Sequence, residues 1–138
     1  MSDDDAPVLT GEQVFTPGDP VTVTGPAPIG SFSAVFEDDG ETAYFYGLDT
    51  SVTEQPILDA LHIYNAKAVS DANTPSTAQI VWSSDGKRVA LFINDYPHAV
   101  FDFLNRRGYC RTGFPPPAPG FSSEGHEWSD AALEFLQE

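Results

Sequence analysis

The side chains that could bind or transform a ligand are concentrated in the last third of the chain. The single cysteine, two of the three histidines and three of the four arginines lie between residues 95 and 128. A cysteine, a histidine and an aspartate can form a nucleophilic triad. No recognised motif surrounds Cys110, however, and a lone cysteine in a β protein is more often a small buried hydrophobic residue. The candidate ligand- or partner-binding residues are Asp95, His98, Asp102, Arg106, Arg107, Tyr109, Cys110, Arg111, His126 and Trp128.

The spacing of these residues does not predict a metal centre or a nucleotide site. The histidines and the cysteine are spread from His62 to His126 and fit no compact pattern of metal ligands. The sequence also lacks a glycine-rich phosphate loop and a Walker motif. We therefore expect no metal and no cofactor.

The arginines Arg106, Arg107 and Arg111 stand out in so acidic a chain. One interpretation is structural: they bind nearby carboxylates such as Asp102 and hold a loop in place. It predicts that Arg107 or Arg111 bonds at least one carboxylate of the chain. The other interpretation is functional, a pocket for an anion or a partner with His98 at its rim.

The overall charge limits the classes of partner. With 21 acidic and 6 basic side chains, the formal net charge is −15. Such a charge repels nucleic-acid phosphates and favours a basic protein partner. One cysteine fits a reducing compartment. The acidic start lacks an apolar signal segment, and no apolar run approaches the ~18 residues of a membrane helix. We expect a cytoplasmic protein that binds neither nucleic acid nor membrane.

The elements around the candidate residues repeat once along the chain. In Ile80–Phe114, the turn Asp85-Gly86 separates two apolar strands, and His98–Phe103 alternates as a third strand. The segment from Val35 to Ala43 aligns without gaps on Val81–Val89, which places Asp39-Gly40 over Asp85-Gly86. The repeat predicts two Asp-Gly hairpins of like geometry, each followed by a further strand.

The remaining segments complete a mainly β (α+β) fold. Ile57–Ala66 reads as strand or helix, and we favour a strand from about Ile57. Ser129 is a good N-cap for a short C-terminal helix that docks on the sheet. We predict antiparallel sheet built from two strand–turn–strand–strand meanders, one short C-terminal helix, a flexible acidic N terminus over residues 1–11 and a single globular domain over residues 12–138.

Three motifs carry a resemblance to a known family. They are Asn94-Asp95-Tyr96-Pro97-His98, Arg106-Arg107-Gly108-Tyr109-Cys110-Arg111 and Gly125-His126-Glu127-Trp128. The sequence from about Ser31 to the C terminus resembles a family of small bacterial proteins catalogued as domain of unknown function 2251. The family has no established activity, so the resemblance implies no catalytic assignment.

Two functional hypotheses follow. The first is a non-enzymatic protein-interaction module, of an immunity or inhibitor type, whose acidic surface blocks a basic partner. The acidic cluster expected to make this contact is Glu37, Asp38, Asp39 and Glu41. The second is a small-ligand-binding protein or hydrolase. Its pocket would be formed by His98, Cys110, Arg111 and His126. The lack of a strong catalytic motif favours the first.

Overall fold

The computed structural model describes residues 6–69, 74–116 and 125–137. Within these ranges, the chain forms nine strands and two 3₁₀ helices. The strands are β1 (Val8–Phe15), β2 (Val21–Pro26), β3 (Phe32–Asp38), β4 (Thr42–Asp49), β5 (Ile57–Asn65), β6 (Ser76–Trp82), β7 (Arg88–Ile93), β8 (Tyr96–Asp102) and β9 (Arg107–Cys110). The helices are η1 (Ala66–Ala68) and η2 (Asp130–Gln137). The predicted mainly β class is confirmed.

The strands form two antiparallel sheets. Sheet A has the order β1-β6-β7-β8-β9, and sheet B has the order β2-β3-β4-β5. Each predicted meander therefore lies in its own sheet, β3–β5 in B and β6–β8 in A. The ambiguous segment is a strand that begins at Ile57, as we favoured.

Strand structure begins earlier in the chain than the sequence analysis predicted. Strand β1 begins at Val8 and pairs with β6, so that Leu9 lies opposite Val81 and Gly11 opposite Ile80. Four residues of the segment predicted to be flexible, Val8–Gly11, thus belong to sheet A. Residues 1–5 of that segment lie outside the described residues.

Both Asp-Gly turns close hairpins, but the two hairpins are not identical. Gly40 and Gly86 have φ angles of +102° and +72°, which glycine adopts without strain. In each turn the aspartate, Asp39 or Asp85, accepts a hydrogen bond from the backbone N–H two residues later. The backbone pairs nearest the turns differ: Asp39 with Thr42, and Ser83 with Arg88. The second loop is wider, and the Ser83 hydroxyl bridges it by donating to Asp85 and accepting from the Arg88 N–H.

The main hydrophobic core lies between the two sheets. Phe45 of sheet B stacks on Phe101 of sheet A with 5.5 Å between ring centroids. Trp82 is completely buried, and its indole N–H donates to the Gly25 carbonyl at 2.9 Å. Because alternate residues of each strand fill this core, the intervening residues face outward.

A second, smaller cluster lies on the outside of sheet A. The predicted C-terminal helix is the 3₁₀ helix η2, whose Phe135 packs with Ala90 of β7 and Val100 of β8. The Ser129 hydroxyl accepts a hydrogen bond from the Ala131 N–H at 3.3 Å, as expected of an N-cap. The helix therefore docks on the outer face of sheet A, next to the predicted site residues.

Candidate functional site

Most of the candidate residues share the outer face of sheet A, which we call the helix-covered face. Alternation along β8 and β9 turns Ala99, Phe101 and Cys110 toward the core and their neighbours outward. The pairing of β8 with β9 then brings the outward residues into adjacent rows. The predicted residues on this face are His98, Asp102, Arg107, Tyr109, Arg111 and Trp128.

Arg111 is clamped between two aromatic rings at one end of this face. Its guanidinium carbon lies 3.7 Å from the centroid of the Trp128 ring and 4.7 Å from that of Tyr96. Its Nε also donates to the Pro97 carbonyl at 3.0 Å. Planar guanidinium groups stack on aromatic faces, which attract positive charge. The side chain is thus fixed by contacts within the protein.

His98 lies beside this clamp and is poorly suited to proton transfer at neutral pH. Burial, and then the positive charge of Arg111, lower the pKa of His98 to about 4. Its ring meets the edge of Tyr96 with 5.1 Å between centroids. General acid–base catalysis is most efficient when the pKa lies near the working pH. At pH 7 the imidazole is neutral and only weakly basic.

The other end of the helix-covered face contains a cleft of about 380 Å³ between η2 and the β8–β9 turn. Asp102, one of its lining residues, accepts hydrogen bonds from Arg88 Nε at 3.3 Å and from the backbone and side chain of Asn105 at 2.9 and 2.8 Å. These groups are therefore engaged with one another. The cleft is lined by Arg88, Asp102, Asn105, Tyr109, Ala131, Ala132, Glu134 and Phe135.

The predicted pairing of Arg107 or Arg111 with a carboxylate is met by Arg107. Its Nη2 lies 3.9 Å from Oε2 of Glu127, a loose ion pair, and its guanidinium lies 4.8 Å from the ring centroid of Tyr109.

Two further candidates occupy turns. Asp95 and Arg106 have positive φ angles of 67° and 56°, and both are exposed.

Cys110 and His126 do not lie on this surface. Cys110 is completely buried among the core residues between the sheets. His126 is 1% exposed, and its Nε2 lies 2.7 Å from Oδ2 of the buried Asp59. His98 and Arg111 thus face outward, whereas Cys110 and His126 are enclosed. Asp59 was missed by the sequence analysis, although its alternation with Leu61 and Ile63 marks it as inward-facing.

The outer face of sheet B, which we call the open face, carries a feature that the sequence analysis did not single out. Four rings follow one another across it, and we call them the aromatic row: Phe114, His62, Tyr44 and Tyr46. Successive ring centroids are 6.1, 5.5 and 6.0 Å apart. The signal was present in β4, where tyrosines alternate with buried Phe45.

Carboxylates border the aromatic row. Glu37 of β3 lies opposite Tyr44 of β4, and Asp39 and Glu41 lie in the adjoining turn. Burial, and then the negative charge of Glu37, raise the pKa of the Tyr46 phenol. The carboxylates beside the aromatic row are therefore close enough to act electrostatically on Tyr46.

One member of the predicted acidic cluster does not belong to this surface. Asp38 is 1% exposed. Its carboxylate accepts hydrogen bonds from the Gly18 and Gly40 N–H groups, both at 2.8 Å, and from the Tyr64 hydroxyl at 2.6 Å. These bonds join two turns to β5, so Asp38 is a structural residue and the inclusion of Asp38 in the contact cluster was wrong.

The described part of the chain contains neither a metal-binding cluster nor a membrane-spanning helix. No group of three or more histidine, cysteine, aspartate or glutamate side chains is arranged to hold a metal ion among the described residues. No helix in the described ranges has the length and apolar character needed to cross a membrane.

Comparison with known proteins identifies relatives without a known activity. Residues 15–137 match a family described as "Uncharacterized protein conserved in bacteria (DUF2251)". An uncharacterized protein of Haemophilus influenzae is 46% identical over 86 residues, which is 62% of this chain and 53% of that protein. The aligned segment thus spans about half the length of this relative. No solved structure is significantly similar to the chain.

Proposed function

We propose that this chain, which belongs to the uncharacterised bacterial family DUF2251, is a non-enzymatic protein-interaction module of an inhibitor or immunity type. Its partner is a basic protein, and the contact is made by the acidic open face. The observation that carries the proposal is the net charge of −15 together with the position of the few basic side chains.

Three of the six basic side chains are engaged on the helix-covered face. Arg88 binds Asp102, Arg107 pairs with Glu127, and Arg111 is clamped by Tyr96 and Trp128. They do not neutralise the carboxylates of the open face. An acidic surface of this kind steers a basic protein toward it and speeds association.

The chemistry of the nucleophilic and basic side chains supports binding over catalysis. The thiol of Cys110 is sealed in the core, and the imidazole of His126 is buried against Asp59. His98, with its pKa lowered to about 4, is a weak base. A substrate reaching the surface would meet none of these as an activated nucleophile paired with a base.

The second candidate, a small-ligand-binding protein or hydrolase, is favoured by the cleft beside η2, although this cleft is not the pocket predicted around His98, Cys110, Arg111 and His126. Its volume of about 380 Å³ lies within the range of small-molecule sites. Its polar groups Arg88, Asp102 and Asn105 bond one another, however. A ligand would have to compete with those bonds, and we therefore rank this candidate second.

The test is capture of partners from bacterial lysate at low and high salt, followed by association kinetics. A basic partner should associate quickly and lose affinity with salt, because exposed charges are screened over about 10 Å at 0.1 M. The variant Glu37→Gln/Glu41→Gln should slow association several-fold and leave dissociation nearly unchanged. The matched control Glu54→Gln/Glu134→Gln removes the same charge from exposed positions outside the open-face cluster and should have a smaller effect.

Two results would contradict the proposal. One is a partner whose association is insensitive to salt and to both variants. The other is the absence of any partner, combined with a small molecule whose binding or turnover is lost on Arg88→Ala. The second result would instead support a ligand-binding site in the cleft beside η2, which Arg88 lines.

A further inference from the structure

We infer that the aromatic row on the open face is a binding site for cationic side chains, with arginine guanidinium groups of the partner stacking on Tyr44 and Tyr46. This inference rests on the proposed function and deepens it, because it names the chemical group that is recognised and the rings that recognise it. The occupant is a basic, arginine-containing protein segment.

The aromatic row is held in place by the sheet. Tyr44 and Tyr46 are two residues apart on β4, and His62 of β5 lies opposite Tyr44. Phe114 is anchored beside them because its carbonyl accepts the His62 N–H at 2.8 Å. Thr112 adds a bond from its hydroxyl to the His62 carbonyl at 3.0 Å. Rings that are already ordered lose little conformational freedom when a partner binds.

The rings of the open face are accessible to a partner. Phe114 is 54% exposed, and Tyr44, Tyr46 and His62 are partly exposed. In the part of the chain that the structure describes, the larger helix, η2, packs on sheet A. Partly exposed aromatic rings grouped on one surface are typical of interaction sites.

The charge around the rings selects a cation. The face of an aromatic ring attracts positive charge, and Glu37 lies next to Tyr44 on the neighbouring strand. The Tyr46 phenol also experiences the charges of Glu37 and Asp39. A guanidinium over these rings would therefore interact with both the ring faces and the carboxylates. The same chain contains an example of such a contact, since Arg111 lies 3.7 Å from the Trp128 centroid.

The experiment uses the whole chain and a defined probe, a nine-residue arginine peptide, with nine-residue lysine and glutamate peptides for comparison. Binding is measured by calorimetry at 50 and 300 mM salt. We expect the arginine peptide to bind more tightly than the lysine peptide, because guanidinium stacks on rings. The glutamate peptide should not bind.

Paired substitutions separate the rings from the carboxylates. Tyr44→Leu/Tyr46→Leu keeps an apolar surface but removes the π faces, and should weaken arginine-peptide binding about tenfold at both salt concentrations. Tyr44→Phe/Tyr46→Phe keeps the faces and should bind nearly as well as the natural chain. Glu37→Gln/Glu41→Gln should weaken binding at 50 mM salt and have little effect at 300 mM. Thermal unfolding confirms that each variant folds.

The outcomes distinguish this inference from the proposed function. If the leucine variant binds the peptide and the captured partner as well as the natural chain does, while the glutamine variant binds weakly, the inference is wrong and the proposed function stands. If neither peptide nor partner binds, both are wrong. Binding of a neutral oligosaccharide that the leucine variant loses, or self-association of the natural chain that it abolishes, would assign the row to another occupant and overturn the inference.

Discussion

The two outer faces of this protein differ in how their aromatic side chains are placed. On the helix-covered face, Phe135 of η2 packs on Ala90 and Val100, and the nearby arginines are held by rings and carboxylates. On the open face, tyrosines at alternating positions of β4 remain partly exposed beside carboxylates. Aromatic side chains thus stabilise the first face, whereas on the second they remain partly exposed.

The strongest test of this comparison is to remove one ring from each face. Phe135→Ala should lower the free energy of unfolding by about 3 kcal/mol, because it removes a buried ring and leaves a cavity under η2. Tyr46→Ala should cost no more than about 1 kcal/mol, because its ring is partly exposed. Urea unfolding of both variants measures the difference. Equal losses would mean that the open face is also a structural interface.

A second test compares two adjacent carboxylates of β3. Asp38→Asn should lower the free energy of unfolding by about 2 kcal/mol, because the charged acceptor of three hydrogen bonds becomes a neutral amide. Glu37→Gln, on the open face, should change it by no more than about 0.5 kcal/mol. Thermal unfolding of the pair is the measurement, and a larger loss for Glu37→Gln would reverse our assignment of the two residues.

A third test uses the pH dependence of the helix-covered face. Because the pKa of His98 is lowered from 6.5 to about 4 in the folded protein, the unfolded chain binds a proton more readily between these values. Stability from His98 is therefore complete above pH 6.5 and is lost as the pH falls toward 4. After allowance for its partial exposure, the loss should be about 2 kcal/mol.

The variant His98→Gln isolates this contribution. The difference in unfolding free energy between the natural chain and the variant should change between pH 6.5 and pH 4 and remain constant above pH 6.5. A difference that is independent of pH over that window would show that His98 is protonated as easily in the folded protein as in the unfolded chain. Glutamine is the suitable replacement because it is polar but has no charge to titrate.

Local patterns in the sequence predicted the fold better than they predicted the site. Alternation predicted a strand over His98–Phe103, where the structure has β8 at Tyr96–Asp102. The Asp-Gly turns were found because glycine and aspartate impose the turn locally. What could not be predicted depends on contacts between distant residues. His126 meets Asp59 across 67 positions, and Asp38 accepts bonds from two separate turns. Alternation with Ala34 and Phe36 marks Asp38 as inward-facing, but nothing in the residues next to Asp38 predicts its hydrogen bond from Gly18, twenty positions away.

The aromatic row illustrates the same limit. Tyr44 and Tyr46 were visible as an alternating pair on one strand. Phe114 joins them only because a backbone hydrogen bond from β5 places it beside His62. The candidate arginines drew attention to the opposite face because they are rare in the sequence. Their contacts show that a rare basic residue in an acidic chain can be fully occupied within the fold.

The smallest expected effect comes from Arg111→Lys, which keeps the charge of the clamp but loses the flat guanidinium. Lysine cannot stack on Tyr96 and Trp128 in the same way or donate from Nε to the Pro97 carbonyl, so we expect a loss of about 0.5–1 kcal/mol in unfolding free energy. The pKa of His98 should remain low, because burial is its main cause and a positive charge is kept nearby.

The matched variant Arg111→Gln removes that charge, and we expect it to raise the pKa of His98 in an NMR titration. Neither substitution should alter binding of the arginine peptide by more than about twofold, because Arg111 belongs to the helix-covered face. Stronger binding by Arg111→Gln than by Arg111→Lys, well beyond that margin, would show that the peptide responds to charge on this face. The two faces would then act as one surface, and the comparison between them would fail.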